Sequence, residues 1–204
     1  MKKTIILVSL FLAFSTSKAQ EISYGLVLGG EAFMSANNSG GVRFSVKKSF
    51  ITNFGGYAEY NFNNKIGIKT ELTFNKKQVT YHYFVFDIPQ KQAFDLSFFE
   101  ISPSLKYDFG DEYRRGFYML IGPKVSFITT VTAATEDAKK IFNTTNIGAH
   151  LGFGQRIAKI ADLQLKLDYE ITPFFETTKD RQSNFAGAYI SLNIDIESII
   201  KVSQ

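Results

Sequence analysis

Three features of the sequence predict an all-β fold, an eight-stranded antiparallel up-and-down transmembrane β-barrel. The chain opens with the layout of an export signal, eight later segments alternate apolar and polar residues, and the connections between them alternate between short and long. Exported chains reach a compartment where such barrels are used, period-2 alternation is the signature of a two-faced strand, and alternating loop lengths suit a barrel whose two ends face different spaces.

The signal comes first. Lys2 and Lys3 precede an apolar run over residues 5–14, followed by small and polar residues ending in SKAQ. This predicts cleavage after Ala19, a signal over residues 1–19 and one β-barrel domain over residues 20–204. The run is too short to cross a hydrocarbon core of about 30 Å as a helix. No Cys follows it, so a lipoprotein anchor is excluded, and the chain has no Cys at all, so disulfides and thiol chemistry are excluded too. Without Lys2, Lys3 and Lys18, the 23 Lys and Arg become 20 against 19 Asp and Glu, which removes any charge argument for a nucleic-acid partner.

The strands follow in order. The first sets Ile22, Tyr24, Leu26, Leu28 and Ala32 against Ser23, Gly25, Gly29 and Glu31. The second sets Phe54, Ala58, Tyr60 and Phe62 against Gly55, Tyr57, Glu59 and Asn61, and the third Ile66, Ile68, Leu72 and Phe74 against Lys69, Glu71, Thr73 and Asn75. The fourth sets Phe99, Ile101, Leu105 and Tyr107 against Glu100, Ser102, Lys106 and Asp108. The fifth has Phe117, Met119, Ile121, Val125 and Phe127 opposite Tyr118, Gly122, Lys124 and Ser126. The sixth has Ile147, Ala149, Leu151 and Phe153 opposite Gly148, His150, Gly152, Gly154 and Arg156. In the seventh, LQLKLDYEI, Leu163, Leu165, Leu167, Tyr169 and Ile171 oppose Gln164, Lys166, Asp168 and Glu170. The last runs Ala186, Ala188, Ile190, Leu192, Ile194 and Ile196 against Gly187, Tyr189, Ser191, Asn193 and Asp195.

Short connections are expected at residues 63–65, 110–116 and 158–162, and long ones at 33–53, 76–95, 128–146 and 173–184. A barrel whose first strand starts in the periplasm then has every long loop outside. The polar face carries many glycines, which weaken a solvent-facing strand but make room for long charged side chains inside a narrow barrel. The apolar face, nearly free of charge, is therefore assigned to lipid, with Tyr24, Tyr60, Phe62, Tyr107, Phe117, Phe127 and Tyr169 in interfacial girdles. Pro103 and Pro123 each remove a donor from a strand interior, which predicts a shared irregularity.

The sequence offers little chemistry. His150 sits on the polar face between glycines and His82 in a loop, neither with a nucleophile and carboxylate at a recognisable spacing. Two His without Cys do not make a transition-metal site, and no cofactor site is expected. The motifs NNS at Asn37 and NTT at Asn143 match glycosylation acceptors only formally. An eight-stranded lumen is narrow enough to be filled by side chains. Glu59, Lys69, Glu71, Glu100, Lys106, Lys124, Arg156, Lys166, Asp168 and Glu170 are expected to pair there as a structural charge network. Function then falls to surfaces. In VTYHYFVFD the alternation continues past the membrane span, which predicts an outward hairpin exposing Tyr81, Tyr83, Phe84 and Phe86 to a partner.

The stretches FFEISPSLKYDFG (residues 98–110), GFYMLIGPKVSF (116–127), IGAHLGFGQRI (147–157) and AYISLNIDI (188–196) resemble the PorT-like outer-membrane β-barrel family of Bacteroidota. The resemblance covers essentially the whole mature chain. It implies an outer-membrane barrel acting as a subunit of a secretion or assembly machine, with membrane lipid and other outer-membrane or secretion-machine proteins as partners. One departure is the tail ESIIKVSQ, where many such barrels end on an aromatic residue. Its Ile199, Ile200 and Val202 are expected to extend the strand or dock elsewhere. The primary reading is thus a non-enzymatic structural or accessory barrel. A small passive channel and a soluble lipocalin-like barrel with reversed faces stand beside it.

Overall fold

The computed structural model describes residues 22–36, 43–46, 51–86, 88–110, 116–132, 141–178 and 181–202. The expected signal over residues 1–19 and the acceptor motif at Asn37 lie outside them. The strands are β1 (Ile22–Ala36), β2 (Arg43–Val46), β3 (Ile51–Asn61), β4 (Ile66–Val85), β5 (Ile88–Asp108), β6 (Phe117–Thr132), β7 (Thr145–Ala158), β8 (Ala161–Glu170), β9 (Phe175–Thr178) and β10 (Arg181–Asp195). One short helix, α1 (Ile196–Val202), follows. Among the described residues no helix is long and apolar enough to cross a membrane.

Eight strands form an antiparallel ring, β1-β3-β4-β5-β6-β7-β8-β10, closed by pairing of β10 with β1 from Gly25↔Asp195 to Ala36↔Asn184. Closure leaves no sheet edge within the ring. The two extra strands are accessory: β2 pairs with the outer part of β4, and β9 with the start of β10.

The short connections gather at one end. In the first, Asn63 Oδ1 accepts hydrogen bonds of 2.8 Å from the backbone N–H of both Lys65 and Ile66, an Asx turn that explains the NNK sequence. In the second, Gly116 has φ 103°, a region open to glycine.

Around the middle of the ring the outward residues are apolar and exposed, and the inward ones polar and buried. Outward apolar runs at residues 66–74, 99–107 and 163–171 are the length of a membrane-crossing strand, about 9–11 residues. At the other end the polarity of the faces swaps while the phase of the pleat continues. On β4, exposed Lys76 and His82 point outward while Val79 is 0% exposed. On β5, Asp95 and Lys91 point outward while Phe94, Leu96 and Phe98 are buried. A wall that is apolar outside along one stretch and polar outside along the next marks a lipid–water boundary in the covalent sequence itself.

The expected connection over residues 76–95 is the outward hairpin that its alternation predicts: β4 and β5 stay paired to Val85↔Ile88, so it is built of strand rather than loop. The expected connection over 173–184 gives way, since β10 starts at Arg181 and β9 pairs with it. In the β4–β5 segment the alternation that makes the membrane strands continues, with its apolar side turned inward.

Candidate functional site: a filled lumen and a projecting hairpin

Ladder register places the inward side chains in layers. At the short-turn end Arg156 bridges Asp162 at 2.9 Å and Asp195 at 3.1 Å, tying β7, β8 and β10 together. Further in, Lys106 lies 2.7 Å from Glu59 and 3.2 Å from Asp108. Beside it Glu71 takes Lys166, Lys69 at 3.3 Å and the Gln164 amide at 2.9 Å. Gln164 in turn accepts from Lys69 at 2.9 Å, Asn193 at 3.1 Å and the Tyr118 hydroxyl at 3.2 Å. The ammonium of Lys69 stands 4.6 Å from the Tyr57 ring centre.

Lys124 forms the next layer, paired with Asp168 and lying 3.6 Å from Glu170 and 3.7 Å from Glu100. Glu100 also accepts from the Tyr189 hydroxyl at 2.9 Å and Ser126 at 3.3 Å. Above it Lys77 reaches Glu31 at 3.1 Å and Glu100 at 3.4 Å, with the rings of Phe98, Phe185 and Phe33 at 4.8, 5.0 and 5.5 Å. All ten charges proposed from the sequence face inward, and each has an oppositely charged neighbour.

Five further charged residues belong to the network: Lys77, expected in a connection, Asp162, expected in a turn, and Glu31, Asp108 and Asp195, expected on the polar face without a partner. Continuing the alternation of β4 past Asn75 identifies Lys77, and its partner is then sought on the neighbouring strands.

Glycines give these side chains their room. A Cβ on Gly154 would lie 2.2 Å from the Tyr118 ring, and one on Gly152 would lie 2.7 Å from the Lys166 stem.

Beyond Lys77 the lumen is closed by a hydrophobic cluster of Val79, Phe94, Leu96, Phe98, Ile128, Phe142, Phe174, Phe175 and Phe185. Phe174 stacks on Phe185 with centroids 3.7 Å apart, and Phe142 meets Phe94 edge-on at 5.1 Å. The Asn143 side chain donates to the Pro173 carbonyl at 2.7 Å, which holds the β8–β10 connection against this cluster. The expectation that the aromatic excess serves lipid girdles is thus only part of its use, because six phenylalanines form this internal cap.

The predicted hairpin surface is also corrected. Tyr81 is half-buried and packs 5.3 Å from Phe175, and Tyr83 is half-buried and stacked on Tyr81 at 5.4 Å. Both occupy the inward phase of β4, where the cap attracts them. Phe86 is 93% exposed, and the side chain of Phe84 lies outside the described residues. Phe86 also has φ 47°, a left-handed conformation that a bulky L-residue rarely adopts.

Ser104 and His150 share a hydrogen bond of 2.7 Å, Oγ to Nε2, and Asp168 is the cross-strand partner of His150. Sequence spacing could not show this pairing, because Ser104 and His150 sit on non-adjacent strands. Both are 4% exposed, and Asp168 is engaged by Lys124 rather than by His150 Nδ1, which has no hydrogen-bond partner. Among the described residues the Ser104–His150 pair is thus buried, with no carboxylate hydrogen-bonded to the second ring nitrogen.

A closed eight-stranded ring, apolar outside and ionic inside, defines a transmembrane β-barrel. The lipocalin-like reading fails on this polarity, since its apolar face would be the inner one. The chain belongs to the outer membrane protein beta-barrel domain family, whose model matches residues 5–195. Its fold is similar to crystal structures of OprG from Pseudomonas aeruginosa (14% identity, 86% of this chain and 93% of that one, TM-score 0.49) and of Ail from Yersinia pestis in complex with the heparin analogue sucrose octasulfate (11%, 86%, 97%, 0.44). It is also similar to the N-terminal β-barrel domain of Pseudomonas aeruginosa OprF (13%, 84%, 97%, 0.40). No curated protein matches the sequence.

Proposed function

We propose that this chain is a non-conducting, non-enzymatic barrel of the outer membrane whose working surface is the β4–β5 hairpin. It serves as a structural or accessory subunit for other outer-membrane or secretion-machine proteins, as the PorT-like resemblance implies. Residues 1–19 are removed as its export signal, the short turns face the periplasm and the hairpin faces outward. The observation that carries this reading is the filled lumen. Lys69, Lys77 and Lys124 are each 2% exposed or less, and among the described residues the aromatic cluster lies beyond Lys77 at the end of the long connections.

Purified protein in planar bilayers is expected to give no steady conductance above the lipid background. A reproducible unitary conductance would favour the passive-channel reading instead.

The hairpin supports the second half of the reading. It extends up to about 35 Å along the strand past Phe74 and ends on an exposed aromatic. The left-handed backbone at Phe86 costs about 1–2 kcal/mol relative to a residue that tolerates it. Two-residue hairpin turns prefer Asn or Gly at such positions. Phe86→Asn is therefore expected to raise stability by about 1 kcal/mol while removing partners that co-purify with the unaltered protein from native membranes after cross-linking. If the co-purifying set is unchanged, the tip is not the contact.

A further inference from the structure

We propose that the C-terminal helix α1 lies in the lipid headgroup layer at the short-turn end and completes an interfacial girdle that the strands build only in part. The aromatic side chains at that end form a chain around one side of the ring. Tyr107 meets Phe109 at 5.2 Å, Phe109 meets Phe117 at 5.5 Å, and Phe117 stacks on Phe153 at 5.8 Å. Tyr60 on β3 and Phe62 just after it, at 5.3 Å, continue it. The opposite sector, where β8, β10 and β1 reach the same end, carries aliphatic residues and one aromatic, Tyr24. Helix α1 starts in that sector and packs against β1.

The helix is held in place at its first turn. Asp195, fully buried, accepts from the Ser198 N–H at 3.1 Å and the Ser198 hydroxyl at 2.6 Å, and pairs with Arg156 at 3.1 Å. The Asp195 N–H donates to the Ile160 carbonyl at 2.8 Å, so the β7–β8 turn and the helix form one rim. On this rim Ile199 and Ile200 are 42% and 44% exposed, and Ile157 and Ile160 are 56% and 37% exposed. A seven-residue helix has no stability of its own in water. Four exposed isoleucines adjoining the lipid-facing band continue that band rather than interrupt it. Apolar residues on a short helix, followed by Lys201, are the composition of a segment lying in an interface.

The chain has no Trp, so a single introduced Trp reports without background. The experiment uses Ile199→Trp and Ile200→Trp in the full mature chain, refolded into phosphatidylcholine vesicles with bromine on the upper acyl carbons. Leu165→Trp is the lipid-facing control and Phe86→Trp the water-facing one. The expected result is blue-shifted emission and about half or more of the bromine quenching seen for Leu165→Trp. Emission like that of Phe86→Trp, quenched by acrylamide and not by brominated lipid, overturns the proposal. Shielding from both quenchers overturns it too, because a protein contact then covers the helix. Heat-modifiable gel mobility reports folding of each variant, and Val202→Trp replaces either one that fails to fold.

Discussion

Lys77→Ala is expected to cost about 3–5 kcal/mol of unfolding free energy, among the largest effects of any single substitution in the barrel. Its ammonium is the charge neighbour of Glu31, which is 0% exposed and 3.1 Å away, and whose carboxylate oxygens accept no hydrogen bond among the described residues. Glu100 keeps Lys124 and the Tyr189 hydroxyl when Lys77 is removed. Glu31 is left far less compensated in a dry lumen, where an unpaired charge is costly. Three phenylalanine rings also lose the cation they surround, each contact adding about 0.5–1 kcal/mol. The neighbouring Lys76→Ala, on the exposed face, is expected to change stability by less than about 0.5 kcal/mol.

The cycle with Glu31→Gln separates charge from packing. Lys77→Met combined with Glu31→Gln is expected to recover about 2–3 kcal/mol of the loss caused by Lys77→Met alone, because the orphaned charge is gone. Urea unfolding in lipid vesicles, followed by tyrosine fluorescence, supplies the four free energies. Additive losses would mean that the two side chains do not act as a pair.

How much of this was legible in the sequence depends on which face is considered. All eight membrane strands and their pleat phase follow from period-2 alternation, because lipid outside and a charged lumen inside impose opposite chemistries on adjacent residues. Above residue 75 the alternation changes its polarity, because the same pleat carries Lys76 and His82 outward and Val79 and Tyr81 inward. Taken as a membrane pattern it looks broken. Taken as a water-facing barrel with an apolar interior it is continuous, and it contains Lys77 and the aromatic cap. The charge network was legible as a set of inward residues but not as pairs, since contacts such as Lys69 with Gln164 or Ser104 with His150 cross the lumen between strands that are not neighbours. Helix α1 was not legible at all. Ile196 continues the alternation of β10, and only the cap formed by Asp195 and Ser198 turns the chain.

The prolines were expected to share an irregularity, and their placement predicts the second large effect. Cross-strand partners run to Ile101↔Val125 and resume at Leu105↔Ile121, so Pro103 on β5 faces Pro123 on β6. Neither has an N–H, and the two ladder bonds such a pair normally exchanges are both missing. The Pro103 carbonyl still points into the seam. A Cβ on Gly122 would lie 2.0 Å from its oxygen, as one on Gly55 would from the Leu72 carbonyl in the β3–β4 ladder, where that carbonyl faces Gly56. Both prolines lie near the middle of their outward apolar runs, where no water replaces a lost bond. Pro103→Val and Pro123→Val each restore one donor opposite a waiting carbonyl. Each is expected to stabilise the barrel by about 1–2 kcal/mol, after the entropy that proline removes from the unfolded chain is given back. Because the two bonds run in opposite directions between different atoms, the double substitution is expected to give the sum, about 2–4 kcal/mol. Urea midpoints in vesicles read this directly, and amide hydrogen exchange at Ile101 and Val125 is expected to slow in parallel. A lower midpoint in the double substitution would mean that the gap is better filled by two pyrrolidine rings than by two hydrogen bonds.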